Sequence, residues 1–514
     1  MASMPGPSLI LADSSHTLRA FATAAALWVG WRLWRFTTSA WIDPSAPRSL
    51  PYALPFFGHV WGMTANSAQV FRDGCRYFNK NPEPWSLTIL GKETYVVTSP
   101  SDVLAVYRDT VKLDPDNVVK DILGQFGITQ ANVDKLFDRH GTSKHTMDHF
   151  HELFKVQMHP GDRLETLQKA LLNSIDTSLH WDRISGPMLL ASSSDSKRVS
   201  LWKWCGYVLV NSATRAFFGE SIFSVAPTIL EDFLMFDDEG WKLPYKYPKF
   251  AARTLYNSKA RCEAAFADYV TLPQEQKLDA SWIISESQRV FENIGVVDPT
   301  QCGAMLFSLY RVTNSNAYRL CFWSIAQLLH NPGLLEPIKS EMEPAVNGNR
   351  VDMLYLLEEC PHLASFYEEI LRTTNDPIGI RFVTEKVTIG GKVLKPGRNV
   401  LMPYRLMHYD QAVFGANIAE FDSTRFLRNK NLYRSCSWKP FGGGTMYCPG
   451  RFLAKREVYL FLALILFRFD VKLSRLAENE EANKIPILDD TIPAGGILPP
   501  VPGSDVIVDV SLRN

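Results

Sequence analysis

The sequence predicts a mainly α-helical fold with small β-sheets, and three observations carry that prediction. The stretch from about residue 160 to 375 reads mostly helical. A second run of helix formers follows Cys448, from Arg451 to Phe467, and is apolar after its first turn. Strand signals are confined to short segments: Ser86 to Thr98, Phe382 to Leu401 and Ile497 to Val510. With 514 residues the chain has ample material for a core, and 54 Lys+Arg against 54 Asp+Glu leave no electrostatic footprint for nucleic acid. Its 8 cysteines lack Cys-x-x-Cys spacing, which argues against zinc or a disulfide framework and for a reduced compartment.

Along the chain, residues 1–40 read as an N-terminal membrane anchor, 41–58 as a proline-rich hinge and 59–514 as one large domain. The apolar run Ala20 to Trp31 is short for a span. Snorkelling by Arg32 and Arg35, with Trp28, Trp31 and Trp34 at the interface, extends it to a marginal single pass through Phe36. The positive-inside rule puts those arginines on the cytosolic side. A cleaved signal peptide ending near Ser39-Ala40 is the rival reading, and the basic residues before that site count against it. Pro44, Pro47, Pro51 and Pro55 stiffen the connector.

Next, Ser86-Leu87-Thr88-Ile89-Leu90 and Thr94-Tyr95-Val96-Val97-Thr98 flank Gly91-Lys92-Glu93 as a hairpin, and Ser99-Pro100-Ser101-Asp102 opens a helix. Trp241 to Phe250 alternates aromatics with lysines, as a membrane contact or a plain surface loop would. Thr300 to Asn331, bounded by Pro299 and Pro332-Gly333, is long enough for one helix of about 50 Å at about 1.5 Å per residue. Arg311 and Arg319 lie in that otherwise apolar stretch and must find partners or solvent.

Glu369 and Arg372 stand three apart on a helix, close enough to pair with each other and with a third group. The glycine-rich segment Phe441-Gly442-Gly443-Gly444-Thr445-Met446-Tyr447-Cys448-Pro449-Gly450 then delivers one cysteine to a helix start. Unpaired amides there lower a thiol's pKa and favour the thiolate, a ligand for iron. A phosphate-cradling loop would end in Gly-Lys-Ser/Thr, which is missing.

The spacing Phe-x-x-Gly-x-x-x-Cys-x-Gly resembles the haem-binding signature of the cytochrome P450 family, and the resemblance extends from the hinge near Pro44 to the C-terminal strands. It implies the cytochrome P450 fold and haem b bound axially by Cys448, with Phe441 shielding the sulfur and Gly444 in the cofactor loop. Glu369-x-x-Arg372 resembles the family's Glu-x-x-Arg helix, and Arg425 in Phe421-Asp422-Ser423-Thr424-Arg425-Phe426 supplies its second arginine. The three would form a buried structural network on the proximal side of the haem. Arg381, in Pro377-Ile378-Gly379-Ile380-Arg381, is the implied propionate ligand. Met446 replaces the usual basic residue two before the cysteine, and no Trp-x-x-x-Arg helix occurs between about residues 110 and 175.

The family's long helix carries an acid followed by Thr for proton delivery. Registered on Phe322-Trp323-Ser324 against the microsomal branch that includes sterol-side hydroxylases and prostacyclin synthase, Asn316 takes the acid position and Ala317 the alcohol position. Thr313, Asn314 and Ser315 remain as polar groups that ordered water could join into a relay. The resemblance therefore implies a monooxygenase oxidising a sterol, terpenoid, polyketide or similar secondary metabolite with O2 and electrons from NADPH–cytochrome P450 reductase. An isomerase or dehydratase needing no external electrons is the alternative, and a haem-based carrier or sensor is a third reading. Substrate-lining segments would be the loop around residues 113–141, Thr313 to Ala317, the strand after Pro377 and the turn at Ala494 to Ile497. Lys439, Arg451, Lys455 and Arg456 could meet an acidic reductase surface. The implied location is the endoplasmic reticulum membrane, with the catalytic domain cytosolic.

Overall fold

The computed structural model describes residues 8–139, 144–348, 350–474, 484–493 and 495–513. Ala494, of the expected substrate-lining turn, and residues 140 and 141 of the expected 113–141 loop lie outside the described residues, as do the first 7 residues of the expected anchor. The chain is mainly helical with small sheets and divides into two compact units: Met1–Met63, Val70–Asp114 and Ile380–Met402 form one, and Thr64–Gln69, Pro115–Gly379 and Pro403–Asn514 form the other.

The first unit opens with α1 (Ser8–Leu33). Its length suffices for a membrane, but its sequence includes Asp13, Arg19 and Arg32, and among the described residues no helix is long and apolar enough to cross one. The side chains expected to anchor the marginal span through Phe36 make contacts within the protein. Trp28 Nε1 donates to Ala53 O at 2.7 Å, Arg32 Nη1 to Tyr52 O at 2.7 Å, and Arg35 Nη2 to Ser49 Oγ at 2.9 Å. These groups bind the proline-rich segment, where the Tyr52 and Ala53 carbonyls lie beyond the short strand Arg48–Ser49.

Strands β1 (Trp85–Ile89) and β2 (Lys92–Val96) pair antiparallel, with Leu87 opposite Thr94. The turn is tighter than the sequence predicts: Leu90 (φ 48°) and Gly91 (φ 74°) make a two-residue connection, the left-handed geometry whose twist matches a hairpin. β3 (Ile378–Val383) and β4 (Asn399–Pro403) complete the centre of a six-stranded sheet, β4 running parallel to β2.

The second unit is a helical body around one apolar core. Helices α2 (Ile229–Glu239), α3 (Arg253–Thr271), α4 (Pro299–Asn314), α5 (Ala317–His330), α6 (Pro361–Thr374) and α7 (Arg451–Arg468) carry the residues that matter below. Phe233, Phe266, Phe307 and Tyr310 interlock at the α2–α3–α4 crossing, with Phe233 edge-on to Tyr310 at 4.9 Å. Gly303 lets α4 lie against α3, since a Cβ there would stand 2.5 Å from Ala267 N. A four-stranded sheet made by Phe469–Leu473, Ile507–Leu512, Lys197–Ser200 and Leu189–Ser192 closes this unit.

Candidate active site

Cys448 sits two residues ahead of Gly450, the residue that caps α7. The loop before it is shaped by glycines: Gly442 (φ 73°) and Gly444 (φ 63°) occupy the left-handed region, and Gly444–Met446 forms a 3-10 turn that includes the departure residue Met446. Cys448 N donates to Phe441 O at 3.0 Å and Gly442 N to Lys439 O at 3.2 Å, so the loop folds back on itself beneath the half-buried sulfur. Phe441 packs against the core.

Burial pushes the Cys448 thiol up, against the lowering effects of the Gly450 amide, the Arg451 guanidinium and the Arg451 amide. This reverses the expectation that a helix start alone favours the thiolate. The amide and guanidinium contributions are present, but loss of water around the thiol is the larger effect. Among the described residues no group of three or more His, Cys, Asp or Glu converges on a point, and Cys448 stands as a single donor.

Glu369, Arg372 and Arg425 meet in full burial. Arg372 Nε and Nη2 donate to the two carboxylate oxygens of Glu369 at 2.8 and 2.7 Å, and Arg425 Nε reaches both at 3.2 Å. The Asp422 amide adds a fourth donor at 3.0 Å. The surplus cation is met by carbonyl oxygens: His408 and Glu420 accept from Arg372, while Asn417 and Glu420 accept from Arg425.

Sequence reasoning missed what joins this network to the cysteine loop. His408 is fully buried and its Nε2 accepts from Lys439 N at 3.1 Å, which fixes a neutral ring with its proton on Nδ1. Its ring lies 4.7 Å from that of Trp438, whose Nε1 donates to Glu368 at 3.1 Å. Asn375 Nδ2 donates to Pro440 O at 2.7 Å. Burial, partly offset by Lys455 and the Trp438 hydrogen bond, pushes the Glu368 carboxyl up to about 7. The only signal in the sequence was the aromatic-flanked Trp438-Lys439-Pro440-Phe441 run leading into the glycines.

The single helix expected from Thr300 to Asn331 is broken. α4 ends at Asn314 and α5 begins at Ala317, with Asn316 (φ −116°, ψ −35°) between them. Three successive polar side chains take carbonyls of the preceding turn: Thr313 Oγ1 bonds Tyr310 O at 3.0 Å, Asn314 Nδ2 bonds Tyr310 O at 2.9 Å and Ser315 Oγ bonds Arg311 O at 2.7 Å. Such bonds compete with the helical ladder and bend it. The Asn316 side chain is held from outside, its Oδ1 accepting from Ile497 N at 2.9 Å. Ala317, buried, offers no hydroxyl, and Thr313 lines a small apolar cavity with Phe154, Phe217, Ile284 and Leu309.

Of the two helix arginines, Arg319 is paired and buried: Nη2 donates to Asp237 Oδ2 at 2.6 Å, Nε to Tyr318 Oη at 3.0 Å and Nη1 to Ile497 O at 3.0 Å. Arg381 belongs to the first unit, where it is buried, donates to Ile380 O at 2.8 Å and lies 5.5 Å from the ring of Tyr107. Lys439, Arg451, Lys455 and Arg456 are all half-buried, with Arg451 stacked on Tyr447 and Phe452. Trp241 packs on Tyr245 and Tyr247, leaving Phe250 as the exposed aromatic of that loop.

Residues 315–491, which hold the Glu369 network and Cys448, match the family model described as Cytochrome P450. The chain is 23% identical over 462 residues to Cytochrome P450 monooxygenase poxD of Penicillium oxalicum, covering 86% of this chain and 92% of that protein. It is 24% identical to the human 7-alpha-hydroxycholest-4-en-3-one 12-alpha-hydroxylase, covering 82% of this chain and 85% of the relative. A 162-residue stretch is 28% identical to the bifunctional cytochrome P450/NADPH--P450 reductase of Gibberella moniliformis, covering 31% of this chain and 14% of that protein.

Proposed function

Taking as premise that this chain is a cytochrome P450 and an oxidoreductase, we propose that it is a haem-thiolate monooxygenase oxidising a lipophilic small molecule with O2 and electrons from NADPH–cytochrome P450 reductase. The single observation that carries the reading is the half-buried sulfur of Cys448, presented by a folded glycine loop at the start of α7. The residues present fit haem held through that sulfur. Gly442, Gly444 and Gly450 leave bare backbone around it, and a Cβ on Gly450 would stand 3.8 Å from Sγ. Haem bound there would supply the activation of dioxygen.

The protein's own contribution is positioning. Amides of Gly450 and Arg451 favour negative charge on the sulfur, and Arg451 Nη1 holds Cys448 O at 2.8 Å. The Glu369 network and His408 fix the segment that leads into the cysteine loop. At the α4–α5 break, the Asn316 side chain is the exposed polar group from which water could carry a proton.

Fungal relatives named as monooxygenases and the human 7-alpha-hydroxycholest-4-en-3-one 12-alpha-hydroxylase support a lipophilic substrate, and the relative named as a fused P450 and NADPH--P450 reductase supports a reductase as electron donor. Exposed Trp41, Ile42, Leu54, Phe56, Phe57 and Trp61 in the first unit support attachment of the N-terminal region to the endoplasmic reticulum membrane, with the catalytic part cytosolic. One observation favours the isomerase or dehydratase reading: Ala317 has no hydroxyl and the Asn316 carbonyl oxygen is committed to Ile497.

Reconstitution with haem tests the proposal. The reduced carbon monoxide complex is expected to show the thiolate-type band in the wild type and to lose it in Cys448→Ala. A band that survives the substitution removes Cys448 as ligand. Product formation dependent on NADPH, reductase and O2 separates monooxygenation from electron-independent rearrangement.

A further inference from the structure

α4 is buried along most of its length, yet its last two turns and the break that follows carry an accessible stripe. Ser308, Arg311 and Ser315 are half-buried, and Val312, at 59% exposure, and Asn316 are open, while Tyr310, Asn314 and Ala317 are enclosed. Spacings of three and four place these residues along one face. Arg311 lies on that stripe, and its guanidinium has no hydrogen-bond acceptor among the described residues. Its Nε is buried and unpartnered.

The acid whose charge favours Arg311 is Asp237, near the end of α2, and it is already engaged: its Oδ2 accepts from both Arg319 Nη2, at 2.6 Å, and Tyr318 Oη, at 2.8 Å. One carboxylate therefore lies between two guanidiniums. Asp238, the next acid, feels the charges of Asp237, Arg319 and Glu239 and not that of Arg311. Burial and the Arg319 charge act together to disfavour the charged form of Arg311, and only Asp237 opposes them. An enclosed Nε without an acceptor leaves the guanidinium short of an anionic partner, which a ligand reaching the open side can supply.

We propose that Arg311 is the anchor for an anionic group of the substrate, a carboxylate on an otherwise apolar molecule lying along the open stripe of α4. Guanidinium and carboxylate match in a two-pronged hydrogen-bond geometry, and Val312 on the same stripe offers an apolar surface to the remainder of the molecule. This deepens the monooxygenase reading and rests on it for the lipophilic character of the ligand. It also orients the ligand, since an anchored carboxylate fixes which carbon is presented for reaction.

Equilibrium dialysis of the full-length, haem-loaded protein at pH 7.5 tests this with two matched pairs: hexadecanoic acid against methyl hexadecanoate, and abietic acid against methyl abietate. At least one acid is expected to bind about tenfold or more tightly than its ester, a gap of about 1.4 kcal/mol. Arg311→Met should remove that preference while leaving ester binding unchanged, and Arg311→Lys should restore part of it. Esters binding as well as acids in both pairs, or Arg311→Met weakening acid and ester alike, would overturn the proposal. If Arg311→Met does not fold, the wild-type acid–ester comparison and Arg311→Lys still decide. The reduced carbon monoxide spectrum of the same preparation reports separately on the haem-thiolate reading: acid preference without that band would retire the Cys448 assignment and leave Arg311 as the anchor.

Discussion

The buried imidazole of His408 accepts the amide hydrogen of Lys439 at 3.1 Å, three residues before the first glycine of the cysteine loop. Its own carbonyl accepts from Arg372 at 3.4 Å. One residue thus links the Glu369 network to the loop through backbone on one side and ring on the other. Burial, with Arg405, Arg372 and Lys439 around it, holds the imidazole pKa well below its ordinary 6.5. The ring stays neutral in the folded protein and takes up a proton in the unfolded one below about pH 6.5, so the unfolded state binds more protons there. Stability is expected to fall as pH drops from 6.5, by up to about 1.4 kcal/mol per unit from this group. Urea unfolding at pH 7.5 and 5.5 checks this. His408→Gln should flatten the dependence, and an unchanged slope would show that the ring is not buried neutral.

Glu369 is the one carboxylate shared by Arg372 and Arg425, all three enclosed. Glu369→Gln leaves two buried guanidiniums with carbonyl partners alone, and a loss of about 3–5 kcal/mol is expected. Denaturant unfolding reads that loss directly. Haem retention on gel filtration should fall in parallel, because Arg372 also holds the His408 carbonyl. A cost below about 1 kcal/mol, the range of an exposed pair, would contradict the burial described.

Glu457 lies within α7, nine residues after Cys448, and its carboxyl is pushed up to about 8 by burial alone. It is protonated in the folded state at neutral pH, while the unfolded chain ionises near the ordinary 4.5. The folded state therefore binds the extra proton between about pH 4.5 and 8. The stability this provides is fully present below that window and is lost as pH rises through it. Glu457→Gln is expected to gain stability over the wild type as pH rises from 5 to 9, by at most about 5 kcal/mol. Thermal unfolding across that range measures it, and parallel curves for the two proteins would refute a neutral Glu457.

How much of this was legible follows from what each contact depends on. The cysteine loop reads directly because its chemistry is contiguous, and Glu369 with Arg372 reads from helical spacing. His408 could not be read: its contacts use a backbone carbonyl 36 residues from one partner and an amide 31 residues from the other, and backbone groups carry no residue signature. The Arg319–Asp237 pair spans 82 residues and joins α5 to α2, two helices whose packing no local pattern encodes. The α4–α5 break was half-visible in Thr313-Asn314-Ser315, residues suited equally to a water relay and to bending the helix. The partners of Arg32 and Arg35 were not legible either, because a backbone carbonyl and a hydroxyl some 14–20 residues away leave no local pattern.

That break sets the last prediction. On the register implied by the family resemblance, Asn316 would stand at the position of the acid and Ala317 at that of the alcohol, and the hydroxyls of Thr313 and Ser315 are spent on carbonyls of the preceding turn. Proton delivery therefore has the Asn316 amide and water to use. Asp can replace Asn316 without losing the bond to Ile497 N, since a carboxylate oxygen accepts as an amide oxygen does. Asn316→Asp combined with Ala317→Thr is expected to raise product formed per NADPH consumed several-fold and to lower peroxide release correspondingly. Parallel measurement of NADPH, peroxide and product in the reductase-supported reaction decides it. The buried Ala317 position makes overpacking the competing outcome, so Asn316→Asp alone is the control. If coupling is already tight in the wild type and falls in both variants, water held by Asn316 is the working relay and the missing pair is no defect.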